Sequence, residues 1–173
     1  MLGAAVSIVQ SLLPEFDQEM AGTRIVLALV PAAHAEWKPH EKSFSLSSLA
    51  MHHANMPYWA KITLTLPELD LEGPAAQDGR APFTTSAALL ERFDSLVGAS
   101  RSALLAASDD AMDAMWTLKL GSRTFFTMPR IAVLRSTVLN HMIHHRGQLT
   151  VYLRLLDVPL PDLYGPTADT RPG

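Results

Sequence analysis

The stretch from Pro129 to Leu156 constrains the fold most. Walked in steps of three and four, it reads Leu134, Val138, His141, His145, Leu149, Tyr152 and Leu156, which is the repeat of one helix face. About 28 residues at ~1.5 Å of rise give a helix of about 42 Å. Pro129 stands at its start, where the N–H that proline lacks would be unpaired anyway. A helix this long with a single apolar stripe has to bury that stripe along its length, and other helices are the natural cover.

Three further helices are legible. The first runs from about Leu12 to Val30, with Phe16, Met20, Thr23, Leu27 and Val30 on one face and Pro31 ending or bending it. The second starts at Ser45 or Ser47, either of which can cap it, and runs past a kink at Pro57 towards Leu66, where Pro67 stops it. The third covers Ser86 to Ala107, capped by Thr84 or Thr85, with Leu89, Phe93, Leu96, Ser100 and Leu104 on its face and Asp109-Asp110 at its exit. Glu68 to Pro82 reads as a loop, punctuated by Gly73, Pro74, Gly79 and Pro82. From Met115 to Met128 the period changes, with Gly121-Ser122 between two β-rich runs. That is either a two-residue hairpin or an irregular loop. The tail from Asp157 is Pro-rich and reads as extended. The expectation is an all-α four-helix bundle over residues 1–173 as one domain, with a short β-hairpin or irregular insertion before the last helix.

Composition narrows the function. Lys plus Arg total 14 against 17 Asp plus Glu, a net charge of -3, so the basic excess of a nucleic-acid binder is missing. There is no cysteine, which excludes disulfides, thiolate metal sites and cysteine nucleophiles together. No apolar run reaches the 18 or so residues of a membrane span. The apolar start, Met1 to Val9, lacks the basic flank of a signal peptide, so a cytoplasmic protein is expected.

The chemistry lies in the histidines, seven in all. Residues four apart on a helix have Cβ atoms about 5–6 Å apart, so His141 and His145 can converge on one metal ion; His141 and His144 are the competing pair. The stripe favours the first pair, because His144 falls in a more polar row with Thr137, Asn140, Gly147 and Val151. Two histidines in the place of core leucines are costly unless something satisfies them. A third ligand from the second helix is His52 or His53, between which the helix faces do not decide. His34 and His40 read as solvated. A two-His-one-carboxylate triad would take its carboxylate from elsewhere, with Glu15 or Glu19 open in principle. The peptidase motif His-Glu-x-x-His is not met, since Met142 stands in the Glu position.

Several segments together resemble the DinB-like (DinB/YfiT-like) family of helical bundles. They are Thr23-Arg24-Ile25-Val26-Leu27, Leu29-Val30-Pro31, Trp37-Lys38-Pro39-His40, Leu49-Ala50-Met51-His52, Asn55-Met56-Pro57-Tyr58-Trp59, and Asn140-His141 through Gln148-Leu149 with Tyr152 and Pro159-Leu160-Pro161. The resemblance spans about residues 10–168. It implies an up-down-down-up four-helix bundle, often a homodimer, with a divalent metal, zinc or nickel, on three histidines. Carried over by position these are His52, His141 and His145, with His53 a departure from the apolar residue common there.

Three protein nitrogens leave an open coordination position, the pattern of catalytic zinc. By resemblance, the protein is expected to be a metal-dependent enzyme acting on a small molecule, of the thiol-dependent transferase or hydrolase type, with a low-molecular-weight thiol as possible co-reactant. The alternative is a non-catalytic metal-binding bundle with a structural, interaction or stress-related role. The catalytic residues and the reaction are unknown at this level. Arg146 is expected in a structural salt bridge rather than on a substrate carboxylate, Gln148 as a hydrogen-bond partner of a ligand histidine, and Trp59 and Tyr152 in the core.

Overall fold

In the computed structural model, which describes residues 6–78 and 81–171, four long helical segments form the bundle. Helix α1 spans Ile8–Ala28 and α2 spans Leu46–Thr65. They are followed by strand β1 (Glu68–Asp70) and the short helix α3 (Pro74–Asp78). Helix α4 covers Ser86–Ala106, and the short α5 covers Asp109–Asp113. Strands β2 (Met115–Leu120) and β3 (Arg123–Pro129) lead into the last segment. That segment is α6 (Arg130–Val133), a π-helical stretch (Leu134–Asn140) and α7 (His141–Leu155). Of the apolar N-terminal run, Met1–Ala5 lie outside the described residues, as does Gly79 in the connection before α4.

The side-chain pairs between helices fix the topology. Arg24 pairs with Asp94 and Asp17 with Arg101, so α1 and α4 run antiparallel. Arg92 donates to Asn55, and Ser100 to the Pro57 carbonyl, so α2 and α4 run parallel. The Tyr152 hydroxyl donates to the Phe44 carbonyl just before α2, while Arg130 donates to the Leu66 carbonyl just after it, so α2 and α7 are antiparallel. Glu15 and Glu19 pair with Arg135 and Arg146, making α1 and the last segment parallel. The result is the up-down-down-up bundle. Its core holds Leu12, Phe16, Leu27, Leu49, Met56, Leu89, Phe93, Leu104, Met142 and Leu149, all nearly sealed.

Four expectations need correction. Helix α1 begins at Ile8, not Leu12, because Ser7 and Gln10 form a reciprocal capping box that satisfies two free N–H groups; Pro14 is accommodated inside. The segment after α2 is not all loop, since Glu68, Leu69 and Asp70 pair in parallel with Thr117, Leu118 and Lys119. Asp109-Asp110 do not merely mark the exit of α4; they open α5, which Ser108 caps. Pro129 ends β3 and caps α6 rather than occupying its first turn.

The choice between hairpin and loop resolves as a hairpin. Leu120 faces Arg123 across Gly121-Ser122, and Gly121 has φ +56°, as a II′ turn requires at its first central residue. A bulge after Leu118 lets Leu118 face Phe126 while Lys119 faces Thr124. The three-stranded sheet, in the order β1-β2-β3, buries Leu69, Trp116 and Leu118 against Tyr58, Ile62 and Val133. It thereby builds a second, smaller core beside the C-terminal half of α2.

Candidate metal centre

Helix α2 brings His52, and α7 brings His141 and His145, to one place between the two helices. Ring centroids are 5.3 Å apart for His52–His141, 4.6 Å for His52–His145 and 4.5 Å for His141–His145. One nitrogen of each ring lies within 4.8 Å of the other two. The group therefore can hold a metal ion, since zinc sits only about 2.0–2.1 Å from each histidine nitrogen.

An outer hydrogen bond orients the His145 ring. His145 Nδ1 stands 2.7 Å from Gln148 Oε1. An amide oxygen only accepts, so Nδ1 carries the proton and Nε2 turns a lone pair inward. His141 Nε2 faces that lone pair at 2.7 Å, close enough to donate a proton to it. A cation placed between them would take the place of that proton and accept a lone pair from each ring. The donor set fits a divalent transition metal, for which neutral imidazole is a favoured ligand.

The electrostatics agree. Burial, followed by the neighbouring His145 and His141, pushes His52 down to about 4. Burial also lowers His141 and His145. Rings that stay neutral at pH 7 keep their lone pairs for a metal without first shedding a proton.

The π-helical stretch bears on this geometry. It ends one residue before His141 and contains Thr137. Extra residues per turn rotate the chain that follows, so Leu139 and Met142 are buried beside the expected Leu134 and Val138. Such turns occur frequently at functional sites.

The remaining histidines fall elsewhere. His144, His34 and His40 are exposed. His53 is fully buried, with neither ring nitrogen hydrogen-bonded among the described residues, and takes no part in the cluster. Both carboxylates open in principle are engaged with arginines: Glu15 with Arg135, Glu19 with Arg146. Arg146 is in the expected salt bridge but deep inside, 2% exposed, rather than on the helix surface.

Two cavities flank the cluster. The one on the His52 side, about 250 Å³, is walled by Asn55, Trp59, Ile62, Leu69 and Leu71. The one on the His145 side, about 220 Å³, is bounded by Lys42, Phe44, Gln148 and Tyr152. Trp59 and Tyr152, expected only in the core, thus also line cavities. Phe44 and Lys42 have no signal in the sequence, and Asn55 enters only within a family-like segment, without a role; lone polar or aromatic residues without a repeating spacing carry no such signal.

Comparison with known proteins agrees with this architecture. The model of the DinB family matches residues 7–171. A DinB-like protein of Bacillus cereus superposes with a TM-score of 0.71 at 19% identity, over 92% of this chain and 99% of that one. A DinB-family member of Exiguobacterium sibiricum does so with 0.68 at 22% identity, over 92% and 100%. A DinB-like protein of Bacillus subtilis gives 0.65 at 18%, over 87% and 96%. No curated protein matches the chain.

Proposed function

Since the chain belongs to the DinB family, we propose that His52, His141 and His145 hold one divalent ion, zinc or nickel, and that the bundle is a metal-dependent enzyme of the thiol-transferase or hydrolase type. The observation that carries this is the convergence of three histidine nitrogens within 4.8 Å at a place bordered by open cavities. Three protein ligands leave a coordination position for a reactant, whereas structural zinc sites are closed by a fourth. Bound there, the ion would supply Lewis-acid chemistry, lowering the pKa of a water or thiol ligand towards neutrality.

The protein's own residues do the rest. Gln148 holds the His145 tautomer and ring angle. Trp59, Ile62, Leu69 and Leu71 give the His52 side an apolar wall that excludes water. Lys42, Ser43 and Gln148 give the opposite side polar and cationic partners, suited to a small polar thiol. The chain has no cysteine, so a thiolate nucleophile has to arrive with such a molecule.

Metal content measured by mass spectrometry on untagged protein tests the reading. About one equivalent is expected in the wild type, lost in His52→Ala and His141→Ala and retained in His53→Ala. A wild type that takes up no zinc, nickel or manganese when offered each would overturn it.

A further inference from the structure

We propose that the cavity on the His52 side binds a small uncharged molecule of mainly apolar surface bearing one hydrogen-bond acceptor, such as a carbonyl oxygen, with Asn55 as the donor and Arg92 as the residue that aims it. This names the substrate class for the site proposed above and rests on that reading, because cavity and cluster share His52.

Asn55 lies three residues after His52 on α2, so both side chains face the same side of the helix, and both line the cavity. Arg92 on α4 donates from Nε to Asn55 Oδ1, and from Nη2 to the Asp78 carbonyl at 3.2 Å. The guanidinium thus engages the amide oxygen and fixes which way the amide is turned. What remains is the Nδ2 group, two N–H donors. Among the described residues Nδ2 has no protein acceptor and is not sealed from solvent. It is a preset donor at the cavity wall.

The other walls define the rest of the ligand. Trp59, Ile62, Leu69 and Leu71 are apolar, and among the described residues no charged side chain lines the cavity. The Tyr58 hydroxyl is already engaged, donating to the Ala75 carbonyl at 2.8 Å. In the metal-free protein an anion would enter without a cationic partner, which is costly in an apolar site. Its size, about 250 Å³, suits a ring-sized molecule, since an engineered apolar cavity of about 150 Å³ takes benzene. The cationic group near the cluster, Lys42, lies on the other cavity. The two sides of the cluster therefore select different chemistry, a neutral apolar reactant by His52 and a polar one by His145.

The test is a titration of the full-length protein, metal-loaded and metal-free, followed by the NMR shift of the Trp59 indole N–H assigned with Trp59→Phe. The probes are cyclohexanone, the similarly shaped hydrocarbon methylenecyclohexane, and the anion cyclohexanecarboxylate. Cyclohexanone should bind about tenfold more tightly than the hydrocarbon, the worth of one well-made hydrogen bond, and the carboxylate should not bind the metal-free protein. Asn55→Leu should bring the ketone down to the hydrocarbon's affinity. Arg92→Met should do the same while leaving hydrocarbon affinity unchanged, a result that a merely structural role for Arg92 would not give. Both variants should retain the wild-type metal content. Equal binding of the two neutral probes by the wild type, or a ketone preference that survives Asn55→Leu, overturns the proposal. A ketone preference in a protein that takes up no metal defeats only the metal reading, and metal uptake without a ketone preference defeats only this one.

Discussion

Arg146 of α7 and Glu19 of α1 are ion-paired inside the bundle, with 3% and 7% of their side-chain surfaces exposed. Arg146 also donates to the Glu19 backbone carbonyl at 3.1 Å, and the Tyr164 hydroxyl donates to Glu19 Oε2 at 2.6 Å. Three parts of the chain, α1, α7 and the C-terminal tail, are joined at this point. Because Arg146 follows His145 directly, the pair also fixes the rotation of α7 that carries the His145 ring to the cluster. Removing one partner strands a buried charge, a loss of about 3–5 kcal/mol. Urea unfolding of Arg146→Met and of Glu19→Met should each show it, while the double Met variant should recover much of the stability. A single variant within about 1 kcal/mol of wild type would contradict the role given to the pair.

Gly22 makes that pair possible. A Cβ at Gly22 would lie 2.8 Å from Arg146 Nη1 and 3.7 Å from Leu163 Cδ2. An arginine with a free end would move aside, but this one is held by Glu19. Helix propensity alone favours Gly22→Ala by about 1 kcal/mol. The contact argument predicts the opposite sign, a lower melting temperature than wild type. A higher one would show that the guanidinium has room to shift.

Gln148 is exposed and contributes little to the core, yet it holds His145 Nδ1. Loss of a residue that orients a ligand typically costs about 10–100-fold in metal affinity. Gln148→Leu should therefore weaken zinc binding within that range in competition with a chelator, at an unchanged melting temperature of the metal-free protein. Unaltered affinity would mean that the packing of α7 alone sets the ring.

The bundle and two of the three cluster histidines are legible in the sequence, and particular residues show why no more is. His141 and His145 stood out because α7 has a polar face with which its buried stripe contrasts. Helix α2 has little such contrast: residues from Leu46 to Thr63 are buried on nearly every side, so periodicity could not separate His52 from His53, and the family resemblance supplied His52. The π-helical stretch cannot be told from α in the sequence, because both patterns place Leu134 and Val138 inside. Strand β1 leaves no sequence signal, because three residues, with Leu69 alone buried, are too short to show alternation. The burial of Arg146 had a signal in Glu19, which follows Phe16 by three residues on the inner face of α1 and needs a buried cation there.

His53 is where stability should depend on pH. It is fully buried, its ring nitrogens have no partner among the described residues, and burial, followed by the charge of Arg146, pushes it from 6.5 down to about 3. As pH falls below 6.5 the unfolded chain takes up a proton at this residue that the folded chain refuses until about pH 3. Protonation thus favours unfolding, and stability declines across that window by up to about 1.4 kcal/mol per pH unit for one such group. His52, held at about 4, adds to the slope in the same direction. His53→Leu replaces the ring with an apolar side chain of similar size and removes both the unpartnered nitrogens and the proton-linked loss. Chemical denaturation of metal-free protein between pH 7 and pH 4.5 should show His53→Leu at least as stable as wild type at pH 7. It should pull further ahead as the pH drops. Parallel curves for the two proteins would mean that the acid sensitivity comes from other groups, and that His53 takes up its proton as readily in the folded chain as in the unfolded one.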